Sequence, residues 1–366
     1  MADFVSEYCE AAGFTVTQYP YEVAAVEMVN VVAMKGGEES ALALSGHMDT
    51  VKTDHGEWRT DPHVLTQKGD KYYGLGVADM KLFLAIAMKA GETISAAELT
   101  NPFALYFTSN EEVGCLGARD LVHQEGFKIA PSVVIGEPTS LIPINHHKGY
   151  MYLTISLKDK TKGKNGDESR HSSDPRKVRN VVELGLPLVL AALNDIKQRL
   201  EAVEDINFDP PYPTMNVGVV TTGEEAAKNI IPKHCQIELD IRPVPDQDVE
   251  GLFSVVQRVV TRAVAKVKDI EVQVRYGRAP TPPMKTSAEA PIVKLASELG
   301  GHDPKSVCYN TEGGIFNLNG AQSVVWGPAN KEQIHKPNEY ADTSWFEQET
   351  VEKFITLIRQ TCCGGE

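Results

Sequence analysis

The chain has no long hydrophobic run, no secretory leader and no excess of basic residues, and each absence removes a class of protein. No apolar stretch approaches the roughly 18 residues that a membrane-spanning helix needs. Residues 1–7 carry neither the basic segment nor the long apolar segment of a secretory signal. The 36 Lys and Arg residues face 50 Asp and Glu residues, a net charge of -14. This balance disfavours nucleic-acid partners and acidic membrane surfaces, because both attract clustered positive charge.

The six cysteines form neither a CxxC pair nor a disulfide framework. Scattered cysteines of this kind are typical of a reducing compartment. We therefore expect a soluble cytoplasmic protein with no nucleic-acid or membrane partner.

The 366 residues are enough for two domains of ordinary size. Strand and helix alternate up to about residue 150 and again after residue 280, which predicts an α/β layer with helices on both faces. The predicted elements of this layer are helices at 3–12, 79–97, 115–124, 287–299 and 344–360, and strands at 14–19, 28–34, 41–45, 103–108 and 132–135.

Between these segments the pattern predicts a compact α+β unit. Its expected elements are strands at 150–157, 214–221, 235–241 and 270–276, and helices at 175–203 and 247–266. A polar loop, 158–170, lies within the unit, and the Pro-rich stretch 279–283 is typical of a linker. We thus expect a split α/β domain, 1–151 with 279–366, that carries an inserted domain at 152–278.

Two adjacent glutamates, Glu111 and Glu112, follow the apolar run 103–107. Neighbouring carboxylates repel, so placing two together at a strand end costs energy unless something uses them. A division of labour explains the pair most simply, with one carboxylate binding a metal ion and the other transferring protons.

Histidines and carboxylates at other loop ends carry weaker signals when taken singly. His47 suits a zinc ion, and Asp49 could orient the His47 ring. A purely structural role of this pair is the alternative. Asp79 by itself favours the N-cap of a helix. Glu137 lies in a Gly-Glu-Pro turn, where a carboxylate is usually solvated, and His335 is typical of a loop histidine.

Taken together, two histidines and three carboxylates at separate loop ends predict a two-metal site. Such a pair of ions polarises a carbonyl and lowers the pKa of bound water, and the remaining glutamate of the pair is then the natural general base. In this order, the motifs closely resemble those of the M20 metallopeptidases and deacylases, and the resemblance runs over nearly the whole chain. The segments most similar to the acetylornithine deacetylases of that family are 46–51, 58–62, 73–76, 136–141, 147–149 and 171–175.

The resemblance implies how the metal ligands are shared. Asp79 would bridge two zinc ions, with cobalt as an alternative metal. His47 and Glu137 would complete one site, and Glu112 and His335 would complete the other.

The resemblance also implies the catalytic residues. Asp49 would hold the His47 ring, and Glu111 would take a proton from the attacking water and deliver it to the leaving amine. The inserted domain would serve as a lid and dimerisation domain, so we expect a homodimer. His171 would reach the active site of the partner subunit and stabilise the developing oxyanion.

Three further residues are expected to bind substrate. By resemblance, Asn229 and Arg242 would bind its α-carboxylate, since the planar guanidinium binds carboxylates through two hydrogen bonds. An ion pair between Arg242 and Asp240 is the structural alternative. Glu312 could face the cationic end of a substrate such as ornithine, or it could support the metal loop.

The resulting expectation is a zinc-dependent amidohydrolase that converts N2-acetyl-L-ornithine and water into L-ornithine and acetate, a step of arginine biosynthesis. One alternative is another M20 deacylase or peptidase, acting on acetylcitrulline, succinyl-diaminopimelate or a dipeptide. The other is a catalytically silent homologue that binds a ligand on the same fold.

Overall fold

The structure, a computed structural model, describes residues 1–53, 55–161, 170–176, 178–223 and 227–364. The chain divides into two compact units, Met1–His147 with Met284–Glu366, and Lys148–Pro283. The boundaries fall after residues 147 and 283, where the sequence predicts 151 and 278. Within the described ranges, no helix combines the length and the apolar character needed to cross a bilayer.

Helices and strands are numbered along the whole chain. The first unit contains a large mixed sheet and a separate small sheet. Its strands are β1 Thr15–Val23, β2 Val26–Lys35, β3 Leu42–His47, β4 Thr66–Lys68, β5 Lys71–Tyr73, β6 Phe103–Thr108, β7 Ser132–Pro138, β8 Ile144–His147, β13 Met284–Lys285, β14 Lys305–Val307, β15 Gln322–Gly327 and β16 Tyr340–Asp342. Its helices are α1 Ala2–Ala11, α2 Leu82–Thr93, α3 Leu116–Leu121, α7 Pro291–Gly300, α8 Gly313–Leu318 and α9 Gln348–Cys362.

Among the described residues, nine strands form the large sheet in the order β1-β2-β6-β3-β7-β15-β8-β13, with β14 paired to β8. Strand β3 runs parallel to both β6 and β7, and β7 runs parallel to β15. The carboxyl ends of these four strands therefore lie along the same edge, which is where sites assemble in open α/β sheets. Strands β16, β5 and β4 form a separate small sheet.

Side chains alternate between two cores along the central strands, as the two-residue period of a strand requires. Leu44, Leu105 and Val134 join a core that includes residues of α1, α2, α7 and α9. Their neighbours Ala104 and Val133 join a second core with residues of α3 and α8. This confirms the predicted α/β layer with helices on both faces.

The helix predicted at 79–97 begins later than expected. A π-helical turn at Val77–Lys81 precedes α2, and Asp79 within it has a non-helical backbone, with φ -122° and ψ 90°. The N-cap interpretation of Asp79 is therefore wrong, because α2 begins at Leu82 and the Asp79 carboxylate contacts histidines instead.

The second unit is an α+β fold, as expected. Its strands are β9 Met151–Asp159, β10 Thr214–Thr221, β11 His234–Arg242 and β12 Ile270–Tyr276, and its helices are α4 Val181–Leu184, α5 Leu186–Glu201 and α6 Val249–Val264. The strands form an antiparallel sheet in the order β10-β11-β9-β12. Ile155, Leu193, Leu239 and Val260 belong to its core.

The single long helix predicted at 175–203 is wrong. Asn180 starts α4 instead, since its side-chain oxygen accepts hydrogen bonds from the backbone amides of Val182 and Glu183. Gly185 then separates α4 from α5. Most of the predicted loop 158–170 lies outside the described residues, although β9 extends to Asp159.

Candidate metal centre

The carboxyl ends of three parallel strands bring the central motifs together. His47 is the last residue of β3, Glu137 is the penultimate residue of β7, and Glu111 and Glu112 lie just beyond the end of β6. Strand β3 lies between β6 and β7 in the sheet. Residues far apart in sequence therefore converge because their strands are neighbours.

Asp79 lies between two histidines and presents a different oxygen to each. Its Oδ1 is 3.0 Å from His47 Nε2, and its Oδ2 is 3.0 Å from His335 Nε2. His335 has a left-handed backbone, with φ 57°, which few non-glycine residues adopt. A carboxylate placed this way has the geometry needed to bridge two cations.

The remaining carboxylates surround this core of three residues. Glu112 Oε2 lies 3.1 Å from His335 Nε2, and Glu137 Oε1 lies 3.8 Å from His47 Nε2. Two sets of three residues, each offering one donor atom, lie within 4.8 Å of one another: His47 with Asp79 and Glu112, and His47 with Glu111 and Glu137.

Asp49 holds the two glutamates through their backbone. Its Oδ1 accepts a hydrogen bond from the Glu111 amide at 3.0 Å, and its Oδ2 accepts one from the Glu112 amide at 3.2 Å. Asp49 also contacts His47, whose Nδ1 atom lies 3.1 Å from the backbone carbonyl oxygen of Asp49 and 3.5 Å from its carboxylate. Asp49 thus fixes the positions of the glutamate pair as well as contacting the ring.

The protein alone concentrates negative charge at this site. Burial lowers the pKa of His47, but hydrogen bonds with Asp49 and Asp79 and the nearby charge of Glu137 outweigh it, so the pKa lies well above its usual value. Burial and the nearby Asp79 raise the pKa of Glu137 well above its usual value. Burial also raises the pKa of Glu111 to about 7, against the opposing effect of His47.

These donors fit a divalent cation. Imidazole nitrogens and carboxylate oxygens are the donors that zinc takes in sites built from His, Asp and Glu. Four carboxylates, those of Asp79, Glu111, Glu112 and Glu137, repel one another in a mostly buried site, and cations placed among them would relieve that repulsion.

Glu312, just before α8, is fully buried, and neither of its carboxylate oxygens has a hydrogen-bond partner within the described part of the chain. Burial and the charge of Glu111 raise its pKa to about 8. Both roles expected from the sequence, contact with the cationic end of a substrate and support of the metal loop, stay predictions.

The second unit carries the other three predicted site residues, and it brings two of them together. His171 pairs with Ile230 in an isolated bridge, and the Ser172 amide donates to the Asn229 carbonyl oxygen. The Ser173 amide donates to His171 Nδ1 at 3.2 Å, which assigns the proton of a neutral ring to Nε2.

Arg242 makes the contact that the sequence left open as its structural alternative. Its Nε and Nη2 atoms donate to the two carboxylate oxygens of Asp240 at 2.8 and 2.9 Å. The guanidinium also lies 4.3 Å from the centroid of the Tyr150 ring.

Two residues of the first unit that the sequence did not single out also support the site. Glu339 accepts hydrogen bonds from the backbone amides of Gly76, Ala78 and Asp79 at 2.8 to 3.1 Å. The Cys115 thiol donates to the Glu111 carboxylate. The position of Glu339, four residues after His335, was the available signal for the first, whereas nothing in the sequence indicated the second.

Histidines and carboxylates gathered at the ends of parallel strands make this a candidate site for divalent metal ions. Residues 43–360 match the model of peptidase family M20/M25/M40. The chain belongs to this family, and it is a metal-dependent hydrolase of amide bonds.

Relatives agree with that membership, and solved structures show the same fold. The chain is 33% identical to acetylornithine deacetylase of Aliivibrio fischeri over 98% of its own length and 90% of that protein. It is 34% identical to the Myxococcus xanthus acetylornithine deacetylase over 100% of its own length and 92% of that protein. A tripeptidase from Staphylococcus aureus has a similar fold, with a TM-score of 0.72 at 19% identity over 98% and 91% of the two chains. An M20 metallo-carboxypeptidase from Sulfolobus solfataricus also has a similar fold, with a TM-score of 0.71 at 21% identity. The match covers 97% of this chain and 93% of the carboxypeptidase.

Proposed function

We propose that the protein is a two-metal N-acyl amino acid hydrolase whose substrate is N2-acetyl-L-ornithine. Water adds its oxygen to the acetyl carbon, the amide C–N bond breaks, and L-ornithine and acetate leave. The proposal of metal-dependent hydrolysis rests on the position of Asp79. Its two carboxylate oxygens each face a different histidine, and Glu111 lies beside them. The choice of substrate rests on similarity to acetylornithine deacetylases over nearly the whole chain.

In this proposal two zinc ions would be held with Asp79 as a ligand of both. His47 and Glu137 would complete one position, and Glu112 and His335 would complete the other. Zinc bound there supplies Lewis acidity towards the amide carbonyl and the attacking water.

Glu111 moves the proton. Its carboxylate takes a proton from the attacking water and passes it to the departing amine, as a general base that becomes a general acid. In the metal-free protein, burial raises the pKa of the Glu111 carboxyl to about 7.

The inserted unit would complete the site from a second subunit. We propose a homodimer in which His171 donates a hydrogen bond from Nε2 to the oxyanion that develops on the substrate. Asn229 and Arg242 would bind the α-carboxylate of the substrate. Glu312 would face the ammonium end of ornithine, or it would support the loop at the metal centre. Cytoplasmic location and a place in arginine biosynthesis remain predictions.

The test uses purified protein that is stripped with a chelator and reconstituted with zinc or cobalt. Its activity is measured on N-acetyl-L-ornithine, N-acetyl-L-citrulline, N-succinyl-diaminopimelate and a set of dipeptides. The expected result is the highest kcat/KM on N-acetyl-L-ornithine, abolished by the chelator and restored by metal. Preference for another substrate would replace the proposed one. A metal-loaded protein with no turnover on any of them would be a silent homologue.

A further inference from the structure

The Glu111 carboxylate receives a hydrogen bond from a thiol. Cys115 Sγ lies 3.2 Å from Glu111 Oε1, and the thiol is fully buried. A carboxylate accepts and cannot donate while ionised, so the thiol proton points to the glutamate. The contact therefore fixes one oxygen of the group that is proposed to transfer the proton.

The backbone places Cys115 at a conformation that suits glycine better. Its φ is 55° and its ψ is 39°, in the left-handed region, and the residue immediately precedes α3. Its amide donates to the Glu111 carbonyl oxygen at 2.8 Å, so the same residue also closes the turn that follows the glutamate. A side chain at such a position carries a conformational cost that glycine would avoid.

Hydrogen bonds hold both the backbone and the side-chain carboxylate of Glu111. Asp49 accepts the hydrogen bond of the Glu111 amide, and Cys115 binds the carbonyl oxygen through its amide and the carboxylate through its thiol. A flexible glutamate side chain loses rotamer freedom when both ends are held, and a proton carrier must be within hydrogen-bond reach of its water.

We propose that Cys115 is a positioning residue for Glu111, in which the thiol hydrogen bond holds the carboxylate in the orientation that exchanges the proton during amide hydrolysis. The inference rests on the proposed role of Glu111. Cys115 itself touches neither substrate nor metal in this proposal, and it acts through the glutamate alone.

Two substitutions at Cys115 separate the hydrogen bond from the packing. Cys115→Ser keeps a donor and a Cβ, whereas Cys115→Ala keeps the Cβ and removes the donor, so both share the backbone cost of the left-handed position. Cys362→Ala is the matched control, because it removes another fully buried thiol of the same unit, whose sulfur lies 3.9 Å from the Pro102 carbonyl oxygen.

We expect Cys115→Ala to lower kcat about 3- to 10-fold, the factor that corresponds to one ordinary hydrogen bond, without a change in KM or in metal content. Cys115→Ser should restore kcat towards the wild-type value, and Cys362→Ala should leave it unchanged. Thermal midpoints are measured for all three variants. Wild-type kcat in Cys115→Ala, or a stable serine variant as impaired as the alanine variant, would overturn the proposal.

Infrared spectroscopy provides a readout that does not depend on turnover. The S–H stretching band of Cys115 is isolated by subtracting the spectrum of Cys115→Ser, and it moves to higher frequency when the acceptor weakens. Glu111→Gln replaces a carboxylate by a weaker neutral acceptor, so the band should move upwards in that variant. An unmoved band would overturn the contact. If the wild-type protein hydrolyses no N-acyl amino acid, the proposed function fails, and this band still decides whether Cys115 holds Glu111.

Discussion

The carboxylate of Glu339 accepts a hydrogen bond from the backbone amide of Asp79 at 3.1 Å, across 260 residues of sequence. It also accepts from the amides of Ala78 and Gly76, and its side chain is almost fully buried. The loop that carries His335 is thereby tied to the turn that carries Asp79. These are the two residues whose 3.0 Å contact forms one half of the proposed metal centre.

Glu339→Gln should weaken the metal centre and the fold together. The glutamine would turn an amide group towards backbone N–H donors, leaving at least one buried donor without an acceptor, which costs about 1–3 kcal/mol. We expect a lower thermal midpoint and a lower metal content after dialysis, measured by scanning fluorimetry and elemental analysis. Glu349→Gln, at a side chain that is 81% exposed, is the control. Normal metal content in Glu339→Gln would argue against this role.

The adjacent glutamates should separate in their effects. Glu111→Gln should keep its metal and lower kcat about 10²- to 10⁴-fold, the range for loss of general acid–base catalysis. Glu112→Gln should instead lose metal, because it replaces a carboxylate oxygen 3.1 Å from His335 Nε2 with a weaker ligand. Metal content and kcat are measured on the same preparations. Near-normal turnover by Glu111→Gln would remove the proton-transfer role from that residue.

Metal binding should release protons. Hydrogen bonds with Asp79 and Glu112, opposed by burial, raise the pKa of His335 to about 10, so without metal its ring is an imidazolium at neutral pH. A metal ion needs the neutral ring, so binding displaces the proton, and affinity should rise as the pH is raised towards that pKa. Calorimetric titration with zinc in two buffers of different ionisation heat measures the release.

His335→Gln should reduce this proton release, whereas His302→Gln, at an exposed position, should leave it unchanged. Equal binding heats in the two buffers for the wild-type protein would contradict the expected protonation of the metal-free site.

The sequence was sufficient for the α/β layers and for the convergence of most motif residues. Apolar runs that end at His47, at Thr108 before the glutamates and beside Glu137 behave as buried parallel strands, and parallel neighbours bring their carboxyl ends together. Local pattern alone is enough for such a prediction.

What the sequence missed depends on contacts that have no local signal. The interactions of Glu339 span about 260 residues, and the strands of the small sheet are three residues long, too short for a two-residue period to be recognised. Local pattern alone made Asp79 an N-cap, whereas the full set of motifs made it a metal ligand, and its carboxylate lies 3.0 Å from each of two histidines. The predicted helix at 175–203 failed for a local reason, since Asn180 caps a later start and Gly185 separates α4 from α5.

His171 and Glu111 should complement each other between subunits. If His171 serves the partner's site, as proposed, His171→Ala and Glu111→Gln homodimers should each be impaired. A mixed dimer would contain one site with both residues intact, formed by the Glu111 of one chain and the His171 of the other. The purified mixed dimer should therefore have about one half of the wild-type kcat per dimer, because one of its two sites is intact in a two-fold symmetric dimer.

The experiment co-expresses the two variants with different tags, purifies the mixed dimer and measures kcat on N-acetyl-L-ornithine. A sample assembled from two Glu111→Gln chains with different tags is the control and should gain nothing. The ring geometry supports the donor role, because the Ser173 amide on Nδ1 assigns the proton of the neutral imidazole to Nε2. Impaired homodimers whose mixture stays impaired would mean that His171 acts within its own chain, while unimpaired His171→Ala would remove it from the reaction altogether.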